Sequence, residues 1–250
     1  MNALSLPNPV DILTRQKELY EGNFYRHRRW RWTFRDDCRY RWHRLREYLV
    51  SAGFSLERQR VLELGFGSGD LLFLFSTSCT LMGTELSRSA VEAIQHDPRL
   101  RHYRDTWFRA AQADGTLPSP PVQADILINS HMLEHVPDDR ATLGDALPAV
   151  ASGGLVVTFV PLEPPGFDPK HVRTYSPHSL RRLMEDLDLE VLHLEENYRI
   201  CSGPMRWMEH PARNDWPIFK SIEGIRNLLL TSIPYSTTRA IEELLLQWDV

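Results

Sequence analysis

Residues 61–70 read Val-Leu-Glu-Leu-Gly-Phe-Gly-Ser-Gly-Asp, and this stretch decides the fold. Val61, Leu62 and Leu64 have the apolar character of a central parallel strand. Three glycines then predict a turn, after which apolar residues return at the spacing of a helix, namely Leu71, Leu72, Leu74 and Phe75. The stretch therefore predicts a buried strand, a glycine-rich turn and a helix, an arrangement typical of α/β folds.

Glycine serves two purposes in such a turn. It adopts positive φ at no steric cost, and because it has no Cβ it lets a ligand approach the backbone. The start of the following helix offers unpaired N–H groups and the positive end of the helix dipole. We therefore expect this turn to bind the carboxylate or phosphate of a nucleotide-like cofactor.

The spacing of the glycines selects among cofactors. The nicotinamide fingerprint G-x-G-x-x-G requires a third glycine where Asp70 stands, which disfavours a nicotinamide oxidoreductase. The pattern is instead E-x-G-x-G-x-G, which resembles motif I of the class I S-adenosylmethionine-dependent methyltransferases. The resemblance implies that Gly65, Gly67 and Gly69 make room for the methionine part of the cofactor and that Glu63 holds its ammonium group.

A second predicted strand covers residues 80–85 and ends at Glu85, about 20 residues beyond Gly65. By resemblance to Rossmann-like families, Glu85 accepts hydrogen bonds from the ribose hydroxyls, and its neighbour Leu86 belongs to the same binding site. Asp114 and Gly115 resemble the acidic turn that follows the third strand in the methyltransferases. That resemblance implies that Asp114 accepts a hydrogen bond from the adenine amino group.

A fourth landmark runs from Ala124 to Asp138 and contains Asn-Ser-His-Met-Leu-Glu-His after a short apolar strand. It closely resembles a signature of small-molecule methyltransferases related to those of quinone biosynthesis. Asn129 is then expected at the cofactor, and Ser130 and His131 are expected to face the transferred methyl group. Histidine suits a general base because its pKa lies near the working pH, so His131 is the first candidate and His135 the second.

A fifth strand is predicted over residues 154–161, preceded by a double glycine, which resembles the next element of the family. The resemblance covers roughly residues 60–195. It implies an α/β, Rossmann-like, doubly wound and mostly parallel sheet of seven strands, with helices on both faces and extra N- and C-terminal helices. We expect the sixth strand at Leu189 to Leu194 and the last at Asn197 to Cys201.

The chain is predicted to form a single domain with three parts. Residues 1–59 form an N-terminal helical lid, residues 60–200 the cofactor-binding core, and residues 201–250 a C-terminal helical extension. The extension is expected to contain helices around Ile222 to Leu230 and Thr238 to Trp248. Two helix starts are predicted from capping residues: a capping box at Ser89, opening a helix to Gln95, and Ser176 followed by Pro177.

Arginines and aromatic residues are concentrated in residues 26–46. Together they resemble an RNA-binding surface, because arginine holds phosphates and aromatic rings stack on bases. The apolar residues of the same stretch recur at three and four positions, as on the buried side of an amphipathic helix that ends near Gly53. We favour a helix packed on the sheet with its arginines facing solvent, and a clamp for an anionic substrate is the intermediate possibility.

The segment between Glu163 and Leu180 begins as a loop, because three prolines and a glycine exclude regular structure from its first half. Its His-x-Arg-x-Tyr-Ser-Pro string resembles a rim segment that borders the acceptor pocket in this family. His171, Arg173 and Tyr175 are therefore candidates for contacting the substrate. The alternative is that these side chains hold the rim together through hydrogen bonds.

Composition sets further bounds. The net charge of −4 disfavours a general nucleic-acid binder, and no apolar run is as long as a membrane span. Without a signal-peptide pattern, a cytoplasmic protein, monomeric or homodimeric, is expected. Cys38, Cys79 and Cys201 lie far apart without metal-ligand spacing, so reduced thiols and no metal are expected.

The sequence thus predicts methyl transfer from S-adenosylmethionine to a small-molecule acceptor, with oxygen favoured over nitrogen or carbon. Two alternatives from other classes remain beside the nicotinamide enzyme. One is an RNA or protein methyltransferase that uses the arginine-rich helix. The other is a protein that binds the same cofactor without transferring methyl, such as a cyclase.

Overall fold

The computed structural model describes residues 9–21, 35–197 and 217–248. The strands are β1 (Arg60–Leu64), β2 (Thr80–Glu85), β3 (Asp105–Ala110), β4 (Ala124–Ser130) and β5 (Val150–Phe159). The α-helices are α1 (Pro9–Tyr20), α2 (Asp36–Ser51), α3 (Arg88–Gln95), α4 (Asp139–Ala146), α5 (Pro177–Glu185), α6 (Pro217–Ser232) and α7 (Tyr235–Trp248). Within these ranges, no helix combines the length and apolar character needed to cross a bilayer.

The five strands form one parallel sheet in the order β3-β2-β1-β4-β5. The chain therefore builds outward from β1 in one direction and then returns to add β4 and β5 on the other side. This confirms the predicted α/β, Rossmann-like class. The strand order reverses between β1 and β4, and in open α/β sheets this is where ligands bind, beyond the carboxyl ends of the strands.

Helices cover both faces of the sheet because alternate residues of each strand point to opposite sides. Val61 and Ile126 belong to a buried cluster that includes Leu49 of α2 and Ile94 of α3. Leu62, Leu127 and Met82 belong to the other cluster, together with Leu143 of α4 and Leu180 of α5. The continuous apolar runs of β1 and β4 reflect burial on both faces.

The predicted count of seven strands is wrong for the part of the chain that the structure describes, which has five. Residues 189–194, the predicted sixth strand, have no regular structure, and Leu192 is 63% exposed. Their apolar composition is not matched by a ladder of hydrogen bonds to a neighbouring strand. The predicted last strand begins at Asn197, which is also irregular, and its remaining residues lie outside the described ranges.

The capping predictions have mixed outcomes. Ser176 caps α5 as predicted, and its hydroxyl accepts from the backbone N–H of Ser179 in a capping box. The box predicted at Ser89 is wrong: Ser87 caps α3, accepting from the N–H of Ala90, so the helix begins earlier. After the glycine turn only a 3-10 turn forms, at Leu72–Leu74.

Helix α2 confirms the predicted amphipathic helix, but the expectation that its arginines face solvent is wrong for Arg44. That side chain is 6% exposed and its Nη2 lies 2.6 Å from Oε1 of Glu195. Arg39 donates to the backbone oxygen of Ile233 between α6 and α7, at 3.2 Å. His43 stacks on Tyr235 with ring centroids 4.2 Å apart. The C-terminal helices are thus attached to α2.

Candidate functional site

A cavity of about 700 Å³ lies at the carboxyl ends of β1, β2 and β4, where the strand order reverses. The lining includes seven of the nine residues predicted to bind the cofactor: Glu63, Gly65, Gly67, Glu85, Leu86, Asp114 and Gly115. The other two, Gly69 and Asn129, do not line it.

The glycine-rich turn has the backbone that its sequence requires. Gly65, Gly67 and Gly69 have φ values of 64°, 55° and 72°, in the left-handed region that disfavours residues with a Cβ. A Cβ on Gly65 would lie 2.6 Å from Cγ of Met132. A Cβ on Gly69 would lie 2.4 Å from Cδ1 of Ile94, so Gly69 serves the contact with α3. The first two glycines shape the cavity wall.

Glu63 projects from β1 into this site and is 3% exposed. Its Oε2 is buried without a hydrogen-bond partner among the described residues. Burial, followed by the negative charges of Asp70 and Glu85, raises the pKa of Glu63 well above its ordinary value. A buried carboxylate with an unused oxygen is suited to receive a cationic group.

Glu85 lies at the end of β2 and connects it with the glycine-rich turn. Its Oε2 accepts from the N–H of Gly67 at 2.8 Å, and its Oε1 accepts from the N–H groups of Leu86 at 2.7 Å and Ser87 at 3.3 Å. Burial raises its pKa, and these backbone hydrogen bonds oppose that rise. A carboxylate has about four acceptor positions, so Oε2 retains one for a ligand.

The turn after β3 forms the rim of the cavity. Asp114 is exposed, and its Oδ1 accepts from the N–H of Thr116 at 2.9 Å. That hydrogen bond lowers the pKa of Asp114. Gly115 has φ +88°, and a Cβ there would lie 3.1 Å from Cδ1 of Leu13. Helix α1 therefore packs against the rim.

Asn129 lies near the end of β4 but beneath the cavity. Its side chain is fully buried, and its Nδ2 donates to Oγ1 of Thr158 at 2.9 Å. Asn129 is paired with Thr158 in the register of β4 and β5, so this bond joins the two strands. The geometry gives Asn129 a structural contact and no exposure to the cavity.

His131 follows β4 directly and lines the cavity. Its φ of 53° lies in the left-handed region, which is uncommon for a residue with a side chain. Its backbone N–H donates to the oxygen of Phe159 at 2.9 Å. The side chain is 40% exposed, and Nδ1 lies 3.3 Å from Oε1 of Glu134. The strained backbone thus presents an imidazole at the cavity surface.

His135 and His171 lie together on another part of the wall, with ring centroids 4.7 Å apart. Glu134 is completely buried between His131 and His135, and its Oε1 is 3.9 Å from Nε2 of His135. Glu134, His135 and His171 each bring one potential ligand atom within 4.8 Å of the others. The cysteine spacing predicts no metal, whereas this grouping of side chains is one that could hold a cation.

Arg173 and Tyr175 do not line the cavity. The guanidinium of Arg173 donates to the backbone oxygens of Leu133 at 2.7 Å and Pro137 at 2.6 Å. The hydroxyl of Tyr175 donates to Oδ2 of Asp139 at 2.6 Å. These contacts correspond to the alternative considered for the rim segment, in which side chains hold the loop in place. Of the three predicted substrate residues, only His171 faces the cavity.

Helix α1 contributes cavity residues that the sequence analysis did not identify. Leu13, Gln16 and Tyr20 line the cavity, and Nε2 of Gln16 donates to the oxygen of Lys170 at 2.7 Å. Glu21, just beyond α1, accepts from the N–H of Arg88 at 2.9 Å. No motif marks these residues, because their role depends on where α1 packs.

Helix α2 supplies Arg41 and Asp37. Nη1 of Arg41 donates to Oγ of Ser130 at 2.8 Å, and Nη2 lies 3.5 Å from Oδ2 of Asp37. Burial raises the pKa of Asp37, but the positive charges of Arg35 and Arg41 outweigh it and lower the pKa overall. In the sequence, the dense series of arginines in residues 26–46 was the signal for these contacts of Arg41.

A second cavity, of about 1580 Å³, lies beside the first along β5 and residues 189–197. Six residues line both cavities: Arg35, Asp37, Arg41, His131, Asp168 and Lys170. His131 therefore stands where the two spaces meet. The arrangement offers room for two ligands with an imidazole between them.

Solved structures share this fold. The YcgJ protein from Bacillus subtilis aligns with a TM-score of 0.52 at 18% identity, covering 72% of this chain and 81% of that protein. A magnesium protoporphyrin IX methyltransferase from Synechocystis PCC 6803 gives 0.50 at 16% identity, covering 70% and 88%. The cyclase SpnF gives 0.51 at 20% identity, covering 70% and 66%. At these identities the likeness concerns the fold alone.

Sequence comparison gives the family. None of the curated proteins matches the chain. A family described as "Methyltransferase domain" matches residues 30–194, about two thirds of the sequence. The matched range contains the glycine-rich turn, Glu85, Asp114 and His131. The chain therefore belongs to the methyltransferase-domain family.

Proposed function

We propose that this chain binds S-adenosylmethionine in the 700 Å³ cavity and transfers its methyl group to a small-molecule acceptor, on oxygen. The observation that carries the proposal is the position of Glu63, Glu85 and Asp114 around one cavity at the switch point of the sheet. Each of the three is acidic, and each belongs to a different strand end or turn. Glu63 belongs to β1, Glu85 to β2 and Asp114 to the turn after β3. This order across the sheet matches the order of the amino-acid, ribose and base parts of S-adenosylmethionine.

The residues fit the cofactor by charge and by space. Glu63 is a buried carboxylate with an oxygen that lacks a partner, and an ammonium group would satisfy it. Glu85 has one acceptor position left on Oε2 for a ribose hydroxyl. Gly65 and Gly67 keep the wall free of side chains where the methionine part would lie.

The bound cofactor supplies an activated methyl group on a sulfonium, so this chain mainly has to align the acceptor and exclude water. Helix α1 covers part of the cavity with Leu13 and Tyr20, which supports a role in excluding water. These α1 contacts also support the expected N-terminal lid. The adjoining 1580 Å³ cavity is the proposed acceptor site.

An oxygen acceptor is favoured because His131 stands between the two spaces. An alcohol or phenol gains reactivity when a base takes its proton. The carboxylate of Glu134 lies beside this ring, with Oε1 3.3 Å from Nδ1 of His131, and faces the positive charge that the ring acquires with that proton. His135 is the weaker candidate for the base, because its side chain is only 16% exposed and its Nε2 lies 3.4 Å from the Tyr20 hydroxyl.

The first test is calorimetric titration of the full chain with S-adenosylhomocysteine and, separately, with NAD. Saturable binding of the first and none of the second is expected. Transfer is then followed with methyl-labelled S-adenosylmethionine against phenols, alcohols and amines. Methylated phenol or alcohol together with S-adenosylhomocysteine would support the proposal. Binding without any S-adenosylhomocysteine formation would favour a cyclase-type function instead.

The role of His131 is tested with His131→Asn. Losing a general base typically costs about 100- to 10,000-fold in turnover of a hydroxyl acceptor. His178→Asn is the matched control, because this exposed histidine on α5 lies outside both cavities. Undiminished turnover in His131→Asn would remove the base assignment.

RNA affinity that falls steeply with salt would favour the nucleic-acid alternative.

A further inference from the structure

One wall of the cofactor cavity carries a compact group of metal-ligating residue types. Glu134 and His135 lie in the 3-10 turn after β4, and His171 lies in the loop after β5. One ligand atom from each lies within 4.8 Å of the other two. All three residues line the 700 Å³ cavity.

Glu134 provides a second, independent observation. Its side chain has no exposed area, and both carboxylate oxygens are buried without a well-aligned hydrogen-bond donor. The contact with Nδ1 of His131, at 3.3 Å, is close in distance but poorly directed as a hydrogen bond. A buried carboxylate without donors is costly, and such groups in folded proteins are paired or coordinate metals.

Both histidines have outer partners that fix the ring and leave one nitrogen for a cation. Nδ1 of His135 lies 3.4 Å from the backbone oxygen of Lys170, which can only accept, so Nδ1 carries the proton. Nδ1 of His171 contacts the carboxylate of Glu163. Carbonyl and carboxylate partners of this kind are typical of metal-binding histidines. In each ring Nε2 then carries the lone pair; on His135 this nitrogen lies 3.4 Å from the Tyr20 hydroxyl, which a bound cation would displace, and on His171 it lies 3.9 Å from Oδ2 of Asp168.

We propose that Glu134, His135 and His171 bind one divalent first-row transition cation at the wall of the cavity. Two imidazoles with one carboxylate suit Zn²⁺, Co²⁺ or Mn²⁺ better than Mg²⁺, which prefers oxygen ligands. Ligands around such an ion lie about 3–3.5 Å apart, so side-chain movement of about 1 Å closes the site. Three protein ligands leave at least one position open to the cavity.

The open position gives the cation a role that rests on the proposed function. A hydroxyl of an acceptor that reaches from the adjoining cavity past His131, which lines both spaces, would bind there through its oxygen, and the cation would lower the pKa of that hydroxyl. Its proton would pass to His131, and the oxygen lone pair would form the new bond to the methyl carbon. The electron pair of the broken carbon–sulfur bond stays on sulfur. The metal and the base therefore act on one hydroxyl.

The experiment titrates the tag-free full chain with Co²⁺ alone, followed by calorimetry and visible absorption, and repeats the calorimetry with Zn²⁺. Saturation at one equivalent, with a spectrum typical of nitrogen and oxygen ligands, is expected. Glu134→Gln and His171→Ala are each expected to weaken binding at least about 100-fold, because loss of an outer-shell partner alone costs 10- to 100-fold. His178→Ala, which removes an exposed histidine on α5, is expected to bind like wild type.

Circular dichroism melting identifies any variant that fails to fold. If one of Glu134→Gln and His171→Ala does not fold, the other variant decides the outcome. The proposal is overturned if the wild type shows no one-equivalent binding, or if a folded Glu134→Gln or His171→Ala binds as tightly as wild type. S-adenosylhomocysteine titration without metal separates the two proposals. Cofactor binding without metal binding removes the metal site alone, and metal binding without cofactor binding removes the proposed function.

Discussion

The N–H of Gly67 donates to Oε2 of Glu85 at 2.8 Å and thereby joins the glycine-rich turn to the end of β2. The donor residue has φ 55°, so the hydrogen bond sits where the turn adopts the left-handed conformation that glycine allows. One hydrogen bond thus couples the two features that the sequence placed about 20 residues apart. A change at Glu85 is therefore expected to affect both the proposed ribose contact and the shape of the turn.

Glu85→Gln is expected to weaken S-adenosylhomocysteine binding by about 10- to 100-fold, because hydrogen bonds to a charged group contribute roughly 1.5–3 kcal/mol. Calorimetry measures the change. Glu92→Gln, an exposed position on α3, is the control and should leave the affinity unchanged. Equal affinities for Glu85→Gln and wild type would show that Glu85 does not contact the cofactor.

Gly69→Ala is expected to destabilise the protein by about 2–4 kcal/mol in urea unfolding. A left-handed φ costs a residue with a Cβ about 1–2 kcal/mol, and the contact with Ile94 adds an overpacking cost of about 1–3 kcal/mol. Gly53→Ala isolates the first effect, since Gly53 has φ +79° and nothing lies within 4 Å of its added Cβ. Equal losses in the two variants would contradict the packing role of Gly69.

Arg173→Gln is expected to lower the free energy of unfolding by about 2–3 kcal/mol, because the guanidinium holds backbone oxygens of the turn after β4. Since that turn carries Glu134 and His135, turnover should fall as well. Urea unfolding and turnover are both measured. The control is Arg182→Gln, an exposed position on α5 outside both cavities, which should change stability by less than about 0.5 kcal/mol. If Arg173→Gln raised only KM for the acceptor, Arg173 would be a substrate residue after all.

The elements that were predicted correctly are those determined by residues close together in the sequence. The apolar runs of β1 and β4, the glycine-rich turn and Glu85 at the end of β2 are set by neighbouring residues and by fixed spacing. The predicted helix at the arginine-rich stretch also formed, because its apolar residues recur at helical spacing. These features needed no knowledge of distant contacts.

The remaining features depend on contacts between residues far apart in sequence. Arg44 is buried because Glu195, 151 positions later, neutralises it, and no local pattern announces that pair. His171 joins Glu134 only after β5 and its loop fold back to β4. Residues 189–194 are mostly apolar, as a strand would be, yet a strand also needs a partner for its backbone groups, and apolar composition does not supply one.

The pair formed by Arg44 and Glu195 makes stability depend on pH. Burial raises the pKa of Glu195, but the hydroxyl of Tyr48 and the charge of Arg44 outweigh burial and lower it from 4.5 to about 2. The charged form is therefore favoured in the folded state. Its contribution to stability is present above pH 4.5 and is lost as the pH falls towards 2.

Glu195→Gln removes this dependence, because the amide does not titrate. The wild type should be the more stable protein at pH 7, and the difference in unfolding free energy between the two should shrink by about 2 kcal/mol at pH 3. Urea unfolding of both proteins between pH 7 and pH 3 measures the difference, and the other carboxylates cancel in the subtraction. Glu185→Gln, on the exposed side of α5, is the control for the loss of a surface carboxylate. A difference that stays constant with pH for Glu195→Gln would mean that the buried pair does not couple protonation to folding.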